Sequence, residues 1–185
     1  MLKTDSKAVW RQHMRQRRRL AAAQHVNPLS MKHLNDLPAW GAARVVASYQ
    51  AIKDELDVSH VDRGARQANK AVVYPAIVGP GLIEFRLWHE GEPLVEGDMG
   101  VREPDRKAQV VPLQAIDFFL VPLLACDQQG YRLGYGGGYY DRALAGAAGF
   151  RCGVGFNHQL VEQLPTEPHD QALHAFLAEQ GVTTF

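Results

Sequence analysis

Apolar and polar positions divide this chain into short apolar segments and longer mixed ones. Short, almost continuous apolar runs are typical of strands that are buried on both faces of a sheet. Strands are predicted at residues 45–49, 70–78, 82–88, 116–124 and 150–156. We expect Pro75 to end the second strand, because proline has no N–H to donate to a sheet.

Helices are predicted before, between and after these strands, where helix-forming residues follow one another without proline. They lie at residues 5–25, from the polar turn at 53–55 to about Ala68, at 139–147 and at about 168–180. Gly79-Pro80-Gly81 is a turn signal. Residues 89–114 hold glycines, prolines and charges with little periodicity, and are predicted to be a loop.

This alternation predicts an α/β fold with a mainly parallel sheet flanked by helices. The length of 185 residues fits a single domain covering residues 1–185. In such folds ligands bind at the carboxyl ends of the strands, so the loops that follow strands are the places to search for chemistry.

Composition excludes several classes of protein. Twenty basic residues balance twenty acidic ones, which argues against a nucleic-acid partner. The two cysteines lie in apolar runs and are too few for a disulfide framework or a four-thiolate zinc site. The longest apolar run, residues 118–126, is too short to cross a bilayer, and the basic N-terminus lacks the apolar core of a signal peptide. We therefore expect a cytoplasmic protein with no membrane partner.

The first predicted helix carries its charge on one side. Four cations at spacings of four, four and three share a face: Lys7, Arg11, Arg15 and Arg18. Trp10, Met14 and Ala21 would supply the packing stripe. The cations form either a solvated basic face or an anion site, and composition alone favours the solvated face.

A glycine-rich segment follows the most apolar strand. Five glycines lie within nine residues, at positions 130, 134, 136, 137 and 138. Glycine admits positive φ, which we expect at Gly137, and successive N–H groups can form an anion nest. A helix beginning near Tyr139 would direct its positive end there. The segment matches neither common phosphate motif, and a plain glycine-rich hairpin is the alternative interpretation.

The residues from Arg132 to Arg142, RLGYGGGYYDR, resemble the signature of the 5-formyltetrahydrofolate cyclo-ligases, also called 5,10-methenyltetrahydrofolate synthetases. Weaker elements follow in the family's order over nearly the whole chain. They are Lys7-x-x-x-Arg11, Asp54–Asp57, Val73–Pro75, Gly100–Pro104, Asp117–Pro122, Gly155–Gln159, Leu164-Pro165 and His169-Asp170.

The resemblance implies a Rossmann-like three-layer fold of the NagB/RpiA/CoA-transferase-like kind. It also implies an enzyme, a ligase that closes a ring at the expense of ATP and requires Mg²⁺. 5-Formyltetrahydrofolate, with or without a polyglutamate tail, would become 5,10-methenyltetrahydrofolate, with release of ADP and phosphate. Phosphorylation of the formyl oxygen creates a leaving group, and N10 then attacks the same carbon. The expected assembly is a monomer or a weak homodimer.

The resemblance also assigns residues to the nucleotide and the metal. Lys7 and Arg11 would contact the ATP phosphates and, with Tyr140, take part in catalysis. The residues expected to surround the nucleotide are Arg132, Leu133, Gly134, Tyr135, Gly136, Gly137, Gly138, Tyr139 and Tyr140. Asp141 and Asp170 would hold Mg²⁺ through their oxygens.

The folate is expected to share part of the same loop. Residues 135–139 would touch it together with Gln50 and Glu55, and a carboxylate at Glu55 suits the guanidine-like edge of the pterin. Tyr74 and Trp88 would either stack on the pterin or lie in the core, and the core is favoured.

Some positions depart from the family's pattern. Leu123 and the segment from Ala125 to Asp127 stand where the family has glycine and Ala-Phe-Asp, and we expect Cys126 to change the pocket wall. Residues 79–83 lack a methionine that often precedes the phenylalanine, here Phe85, and residues 172–185 lack a Thr-Glu pair. Each of the eight histidines is expected at the surface or as a cap, and for His169, which adjoins Asp170, a place near the metal is the alternative.

Two other functions are compatible with parts of the sequence. A non-catalytic relative would bind a folate or nucleotide as a sensor or store, but the presence of Lys7, Arg11 and Asp141 counts against it. An RNA-binding module would use the basic helix, but the neutral net charge and the lack of an aromatic RNA-binding motif count against that.

Overall fold

A computed structural model of the chain describes residues 6–24, 29, 31–97 and 100–185. The helices are α1 (Lys7–Gln24), α2 (Met31–Asn35), α3 (Pro38–Ala42), α4 (Ser59–Gln67) and α5 (Tyr139–Ala145). The strands are β1 (Val45–Ala47), β2 (Ala71–Gly79), β3 (Leu82–Leu87), β4 (Leu94–Glu96), β5 (Arg102–Pro104), β6 (Val110–Val111), β7 (Phe118–Pro122), β8 (Ala125–Asp127), β9 (Arg132–Leu133), β10 (Phe150–Val154), β11 (Leu160–Val161), β12 (Ala175–Ala178) and β13 (Gly181–Thr184). The five predicted strands and the first three predicted helices are confirmed in place, and the first helix's predicted end positions, 5 and 25, lie outside the described residues.

The large sheet has the strand order β13-β12-β10-β7-β1-β2-β3-β6. The inner strands, from β12 to β2, pair in parallel. β13 adds to one edge and β3 and β6 add to the other, all in antiparallel register. The predicted mainly parallel sheet is therefore confirmed, with antiparallel strands at both of its edges.

Helices cover the sheet on both faces. Successive residues of a strand point to opposite sides, so neighbours in sequence enter different cores. Val46 packs in a cluster with Trp40 of α3, whereas Ala47 packs in a second cluster with Leu144 of α5. The predicted α/β layering of helices on either side of one sheet is confirmed.

The first half of α1 packs against a smaller sheet, whereas Ala21 near its end is partly buried against the core of the large sheet. β11, β8 and β9 form this three-stranded sheet. Trp10 and Met14 of α1 are buried in a third core cluster that includes Leu133 of β9 and Leu164. The predicted packing stripe is confirmed, and it lays the basic face of α1 along the segment that leads into the glycines.

The predicted helix at residues 168–180 is wrong. Residues 175–178 form β12, and all four are buried. A two-residue turn then leads into β13, with Ala178 opposite Gly181. The sequence AFLA has reasonable helix propensity, but burial between β10 and β13 outweighs propensity in so short a segment.

The predicted loop at residues 89–114 is partly wrong, because it contains β4, β5 and β6. β4 and β5 pair with each other in a separate ribbon, and β6 pairs with β3. Strands of two or three residues are too short to show periodicity. Pro75 does not end β2: β1 pairs with β2 only as far as Val73, so Pro75 lies where β2 has a sheet neighbour on one side only.

No helix among the described residues is both long and apolar enough to cross a membrane.

Candidate active site

A large pocket opens where the strand order of the sheet reverses. From β1 the chain builds the sheet outward through β2 on one side, and later through β7, β10 and β12 on the other. The pocket lies at the carboxyl ends of β1 and β7, is lined there by Tyr49 and Pro122, and has a volume of about 740 Å³. This is the place where open α/β sheets bind ligands.

The fold brings all the predicted site residues to this one pocket. Its lining includes Lys7, Arg11, Gln50, Glu55, Arg132, Leu133, Gly134, Tyr135, Gly136, Gly137, Gly138, Tyr139, Tyr140, Asp141 and Asp170. They come from α1, from the loop after β1, from the segment between β9 and α5, and from the chain before β12. None of these segments contains more than part of the site.

The residues from Gly134 to Gly138, here called the glycine loop, join β9 to α5. Gly136 has φ 105° and Gly138 has φ 67°, values that side-chain-bearing residues rarely adopt. The positive φ expected at Gly137 is wrong. Glycine is needed there for space instead, because a Cβ atom would come within 2.7 Å of the Tyr139 ring.

The two cations at the start of α1 are held differently. The Lys7 ammonium donates to Asp170 at 2.7 and 2.8 Å and to Glu167 at 2.7 Å. Burial lowers its pKa, but these two acids outweigh that effect and leave the pKa above its ordinary value. Arg11 donates its Nε–H to the carbonyl of Gly134 at 3.0 Å, so α1 is tied to the glycine loop.

Arg132 and Asp141 form an ion pair at the other side of the loop. Nη2 of Arg132 lies 2.7 Å from Oδ1 of Asp141, and Nη1 donates to the carbonyl of Gln171 at 2.6 Å. The Arg132 side chain is only 3% exposed, whereas that of Asp141 is 27% exposed. The arginine therefore orients Asp141 from behind and leaves part of the carboxylate facing the pocket.

The donor atoms suit magnesium, which the resemblance implies. Among the described residues, Glu167, His169 and Asp170 bring ligand atoms within 4.8 Å of one another. Two of these are carboxylates, the oxygen ligands that Mg²⁺ prefers. Asp141 is outside this group, although it lines the same pocket.

The folate-binding candidate Glu55 is buried in a network of hydrogen bonds. Its Oε1 accepts from the Tyr135 hydroxyl at 2.6 Å, and its Oε2 accepts from the N–H of Ile52 at 3.0 Å. Burial raises the pKa of Glu55, and the two hydrogen bonds with the nearby Arg18 charge offset that only in part. The geometry thus holds a carboxylate at the pocket wall with both oxygens in fixed positions.

Tyr140 presents a hydroxyl without a partner. Its oxygen is buried, and no described atom hydrogen-bonds to it. Burial and the neighbouring Glu55 raise its pKa, so the phenol stays protonated. A buried, neutral donor at a pocket wall is equipped to bond a ligand oxygen. Gln50 also lines the wall, in the loop that follows β1.

Sequence reasoning did not assign several pocket residues. Glu167 and His169 adjoin the predicted Asp170, and Arg102 and Glu103 belong to the element at residues 100–104, to which the resemblance assigns no role. The spacing on α1 placed Arg15 on the predicted face, and it does line the pocket. Neither burial nor pairing is visible in spacing alone, so the individual roles of these residues could not be separated.

Some residues that were candidates for the pocket wall lie in the core instead. Cys126 does not line the pocket but is fully buried in the core, and the change it was expected to make there is wrong. Leu123 is also in the core. Tyr74 is 2% exposed, so its favoured placement in the core is confirmed. Trp88 packs on Tyr74 at 5.4 Å and is partly buried against the same core cluster.

Comparison with known proteins decides the family. The sequence model described as the 5-formyltetrahydrofolate cyclo-ligase family matches residues 3–179. This chain belongs to that family. It is thus one of a family of enzymes, and the resemblance carried by residues 132–142 is confirmed.

Individual relatives cover almost the full length of this cyclo-ligase family member. The 5-formyltetrahydrofolate cyclo-ligase of Escherichia coli K12 is 32% identical over 178 residues, 91% of this chain and 98% of its own. That of Haemophilus influenzae is 30% identical over 164 residues, 85% of this chain and 88% of its own.

Solved structures of the family share the fold. The NMR structure of the Aquifex aeolicus 5,10-methenyltetrahydrofolate synthetase has a TM-score of 0.76 and 29% identity, and covers 100% of this chain and 93% of its own. The structure of the Mycoplasma pneumoniae synthetase has a TM-score of 0.72 at 23% identity, and covers 94% of this chain and 99% of its own.

Proposed function

We propose that the pocket binds ATP and 5-formyltetrahydrofolate side by side and converts the folate into 5,10-methenyltetrahydrofolate, with release of ADP and phosphate. The observation that carries the proposal is that one cavity unites the glycine loop, three cations of α1 and the hydrogen-bonded pair of Tyr135 and Glu55. Phosphoryl transfer demands positioning and charge neutralisation, whereas folate recognition demands a carboxylate. Both requirements meet around residues 134–138.

The nucleotide end of the pocket lies near Lys7 and Arg11. Residues 132–140 surround the phosphates, and Gly136 lets backbone N–H groups approach them without interference from a side chain. Lys7 exchanges its carboxylate partners for phosphate oxygens when ATP arrives. Asp141 and Asp170, with Glu167 beside the latter, would hold Mg²⁺, which when bound neutralises charge on the phosphates.

The folate end lies at Glu55, Gln50 and Tyr135. Glu55 in its ionised form accepts hydrogen bonds from the amino-pyrimidine edge of the pterin, and Tyr135 keeps the carboxylate oriented. Residues 135–139 contact both ligands. This arrangement brings the formyl oxygen toward the phosphate that is to be transferred.

The chemistry proceeds in two displacements. The formyl oxygen attacks the terminal phosphorus of ATP, and the bond between that phosphorus and the bridging oxygen of ADP breaks. N10 then attacks the formyl carbon, the carbon–oxygen bond to phosphate breaks, and the N10 proton leaves with the phosphate. Lys7 and Arg11 balance the moving negative charge, and the Tyr140 hydroxyl donates a hydrogen bond to the oxygen that carries the phosphoryl group.

An absorbance assay tests this function. The protein is mixed with 5-formyltetrahydrofolate, ATP and Mg²⁺, and the near-ultraviolet band of the methenyl product is followed. We expect the band to grow only when all three are present. Lys7→Met should slow its growth at least about tenfold, while Lys107→Met, at an exposed position outside the pocket, should not.

Failure of the assay has a defined meaning. If calorimetry detects ATP binding but no band grows, the chain is a binding protein of the same family and the proposed reaction is wrong. A band that grows without ATP would contradict the phosphorylation step.

A further inference from the structure

One arginine of the basic helix does not behave like a surface cation. Arg18 has a side chain only 2% exposed, although it shares a face of α1 with Lys7 and Arg11. Burying a guanidinium is costly unless charges and acceptors surround it. Its surroundings therefore indicate what it does.

Arg18 contacts three separate segments near the folate end of the pocket. Its Nε lies 3.2 Å from Oδ2 of Asp54, and its Nη1 lies 3.8 Å from Oε1 of Glu55. Nη1 also approaches the carbonyl of Leu123 at 3.4 Å. The guanidinium carbon stands 5.4 Å from the centre of the Tyr135 ring, a cation–π distance.

Arg18 itself does not line the pocket, whereas Glu55 and Tyr135 do. It thus stands behind the two residues that face the ligand and contacts both of them. The other cations of this face are placed differently, since Lys7, Arg11 and Arg15 all line the pocket.

We propose that Arg18 is a positioning residue for folate binding, which holds Glu55 ionised and Tyr135 in place from behind the pocket wall. The proposal rests on the proposed function, because it assigns Glu55 to the folate. The sequence predicts either a solvated basic face or an anion site on α1. Arg18 fits neither, because it does not face solvent and does not line the pocket.

The charge argument follows from the groups that face Glu55. Among the described residues these groups include the Arg18 cation together with Asp54, Tyr49, Tyr135 and Tyr140. Burial raises the pKa of Glu55, and Arg18 opposes that increase. Without Arg18 the carboxyl would take up a proton at a higher pH and lose its affinity for the pterin edge.

The test compares Arg18→Met and Arg18→Lys with the wild type, and uses Arg19→Met, an exposed neighbour on α1, as the matched control. We expect Arg18→Met to weaken binding of 5-formyltetrahydrofolate at least about tenfold, and binding of ATP less than about threefold. The acidic limb of the pH profile of folate binding should move to higher pH. Arg18→Lys should keep the profile, because it keeps the charge, and Arg19→Met should change nothing.

A double-mutant cycle separates positioning from general damage. In a Glu55→Gln background there is no carboxylate to keep ionised, so adding Arg18→Met should cost much less folate affinity than it does alone. Equal losses in the two backgrounds, or an unmoved pH profile in Arg18→Met, would overturn the proposal while leaving the cyclo-ligase function standing.

A measurement made without any ligand distinguishes the proposed role of Arg18 from the proposed cyclo-ligase function. Carbon-13 NMR of glutamate carboxyls, with the Glu55 signal identified by its loss in Glu55→Gln, reports the ionisation of Glu55 directly. Arg18→Met should raise the midpoint, because the charge that opposes the effect of burial on the pKa of Glu55 is gone. An unchanged midpoint refutes the role of Arg18 even if the protein turns over folate, and a raised midpoint supports it even if the assay shows no turnover.

Discussion

At the scale of single residues, Asp141 has two roles. It is an expected magnesium ligand, and it is also the ion-pair partner of Arg132. Arg132 is nearly fully buried and has Asp141 as its anionic partner. Removing the Asp141 charge leaves the buried Arg132 guanidinium with its hydrogen bond to the carbonyl of Gln171 but without this anionic partner. A change at Asp141 should therefore affect both magnesium and stability.

Asp141→Asn should lower magnesium-dependent turnover about a hundredfold or more. It should also reduce the free energy of unfolding by about 1–3 kcal/mol, because the amide oxygen replaces a charged acceptor. Magnesium titrations of the initial rate and urea unfolding measure the two effects. Asp36→Asn, at an exposed position away from the pocket, is the control. If the Asp141→Asn protein responds to magnesium like the wild type, Asp141 does not belong to the metal site.

Asp62 provides a second prediction at this scale, outside the pocket. It lies on α4, is 3% exposed, and accepts from the Tyr74 hydroxyl at 2.5 Å. Burial raises its pKa to about 6, above the value of 3.8 expected in the unfolded chain. As pH rises from about 4 to 6, the unfolded state loses this proton first, so the folded state becomes less stable.

Asp62→Asn should therefore be more stable than the wild type at pH 7, by at most about 2–3 kcal/mol. The difference should vanish near pH 4, where the unfolded carboxyl also holds its proton. Urea unfolding of both proteins at several pH values measures it. A constant difference between pH 4 and 7 would show that Asp62 does not titrate in this range.

Single residues also show how much of the candidate site could be predicted from the sequence. The residues from Arg132 to Asp141 form one contiguous motif, and all of them line the pocket. The spacing of the cations places Arg18 on the same face of α1 as Lys7 and Arg11, but spacing cannot distinguish a buried guanidinium from an exposed one. Its partners, Asp54 and Tyr135, come from distant positions that only the folded chain brings together.

At the scale of elements, the glycine loop depends on backbone geometry more than on side chains. Gly136 has φ 105°, and a Cβ there would lie 3.3 Å from the Cζ of Arg11. A methyl group would therefore strain the backbone and push Arg11 from the carbonyl that anchors it. The Arg11–Gly134 hydrogen bond couples the loop to α1.

Gly136→Ala should cost about 1–3 kcal/mol of stability through strain. It should also lower kcat/KM for ATP at least about tenfold, because the loop and Arg11 are displaced together. Gly91→Ala is the matched control, since Gly91 has φ 93°, open space around its Cα and a position outside the pocket. Both variants should melt lower, and only Gly136→Ala should lose activity. Equal activities would show that the loop geometry is not needed for the nucleotide.

Prediction from the sequence succeeded for the elements whose burial and hydrophobic pattern indicate the same structure, and failed for those in which the two disagree. β7 is a continuous apolar run with four buried residues, and Phe118 and Phe119 pair with a strand on both sides. β12 is just as buried, but AFLA lies in a stretch whose composition also suits a helix. Only its place between β10 and β13 decides the outcome, and that is a property of the sheet rather than of the segment.

At the scale of the whole molecule, the pocket joins segments that lie far apart in the sequence. α1, the loop after β1, the glycine loop and the chain around Asp170 all reach it. They are bridged by hydrogen bonds of Lys7 with Asp170, Arg11 with Gly134, and Tyr135 with Glu55. A ligand that fills the pocket binds the folded state only, and should therefore stabilise the whole chain.

MgATP at a hundred times its dissociation constant should add about 2.7 kcal/mol to the free energy of unfolding. For a chain of this length that corresponds to an increase in melting temperature of about 5–10 °C. ATP with a chelator at the same concentration should give a smaller increase, because Asp141 and Asp170 then repel the phosphates with no cation between them. Asp141→Asn should reduce the difference between the two conditions, whereas Asp36→Asn should preserve it. If the melting temperature rises equally with and without magnesium, the carboxylates of this pocket do not hold a metal beside the nucleotide.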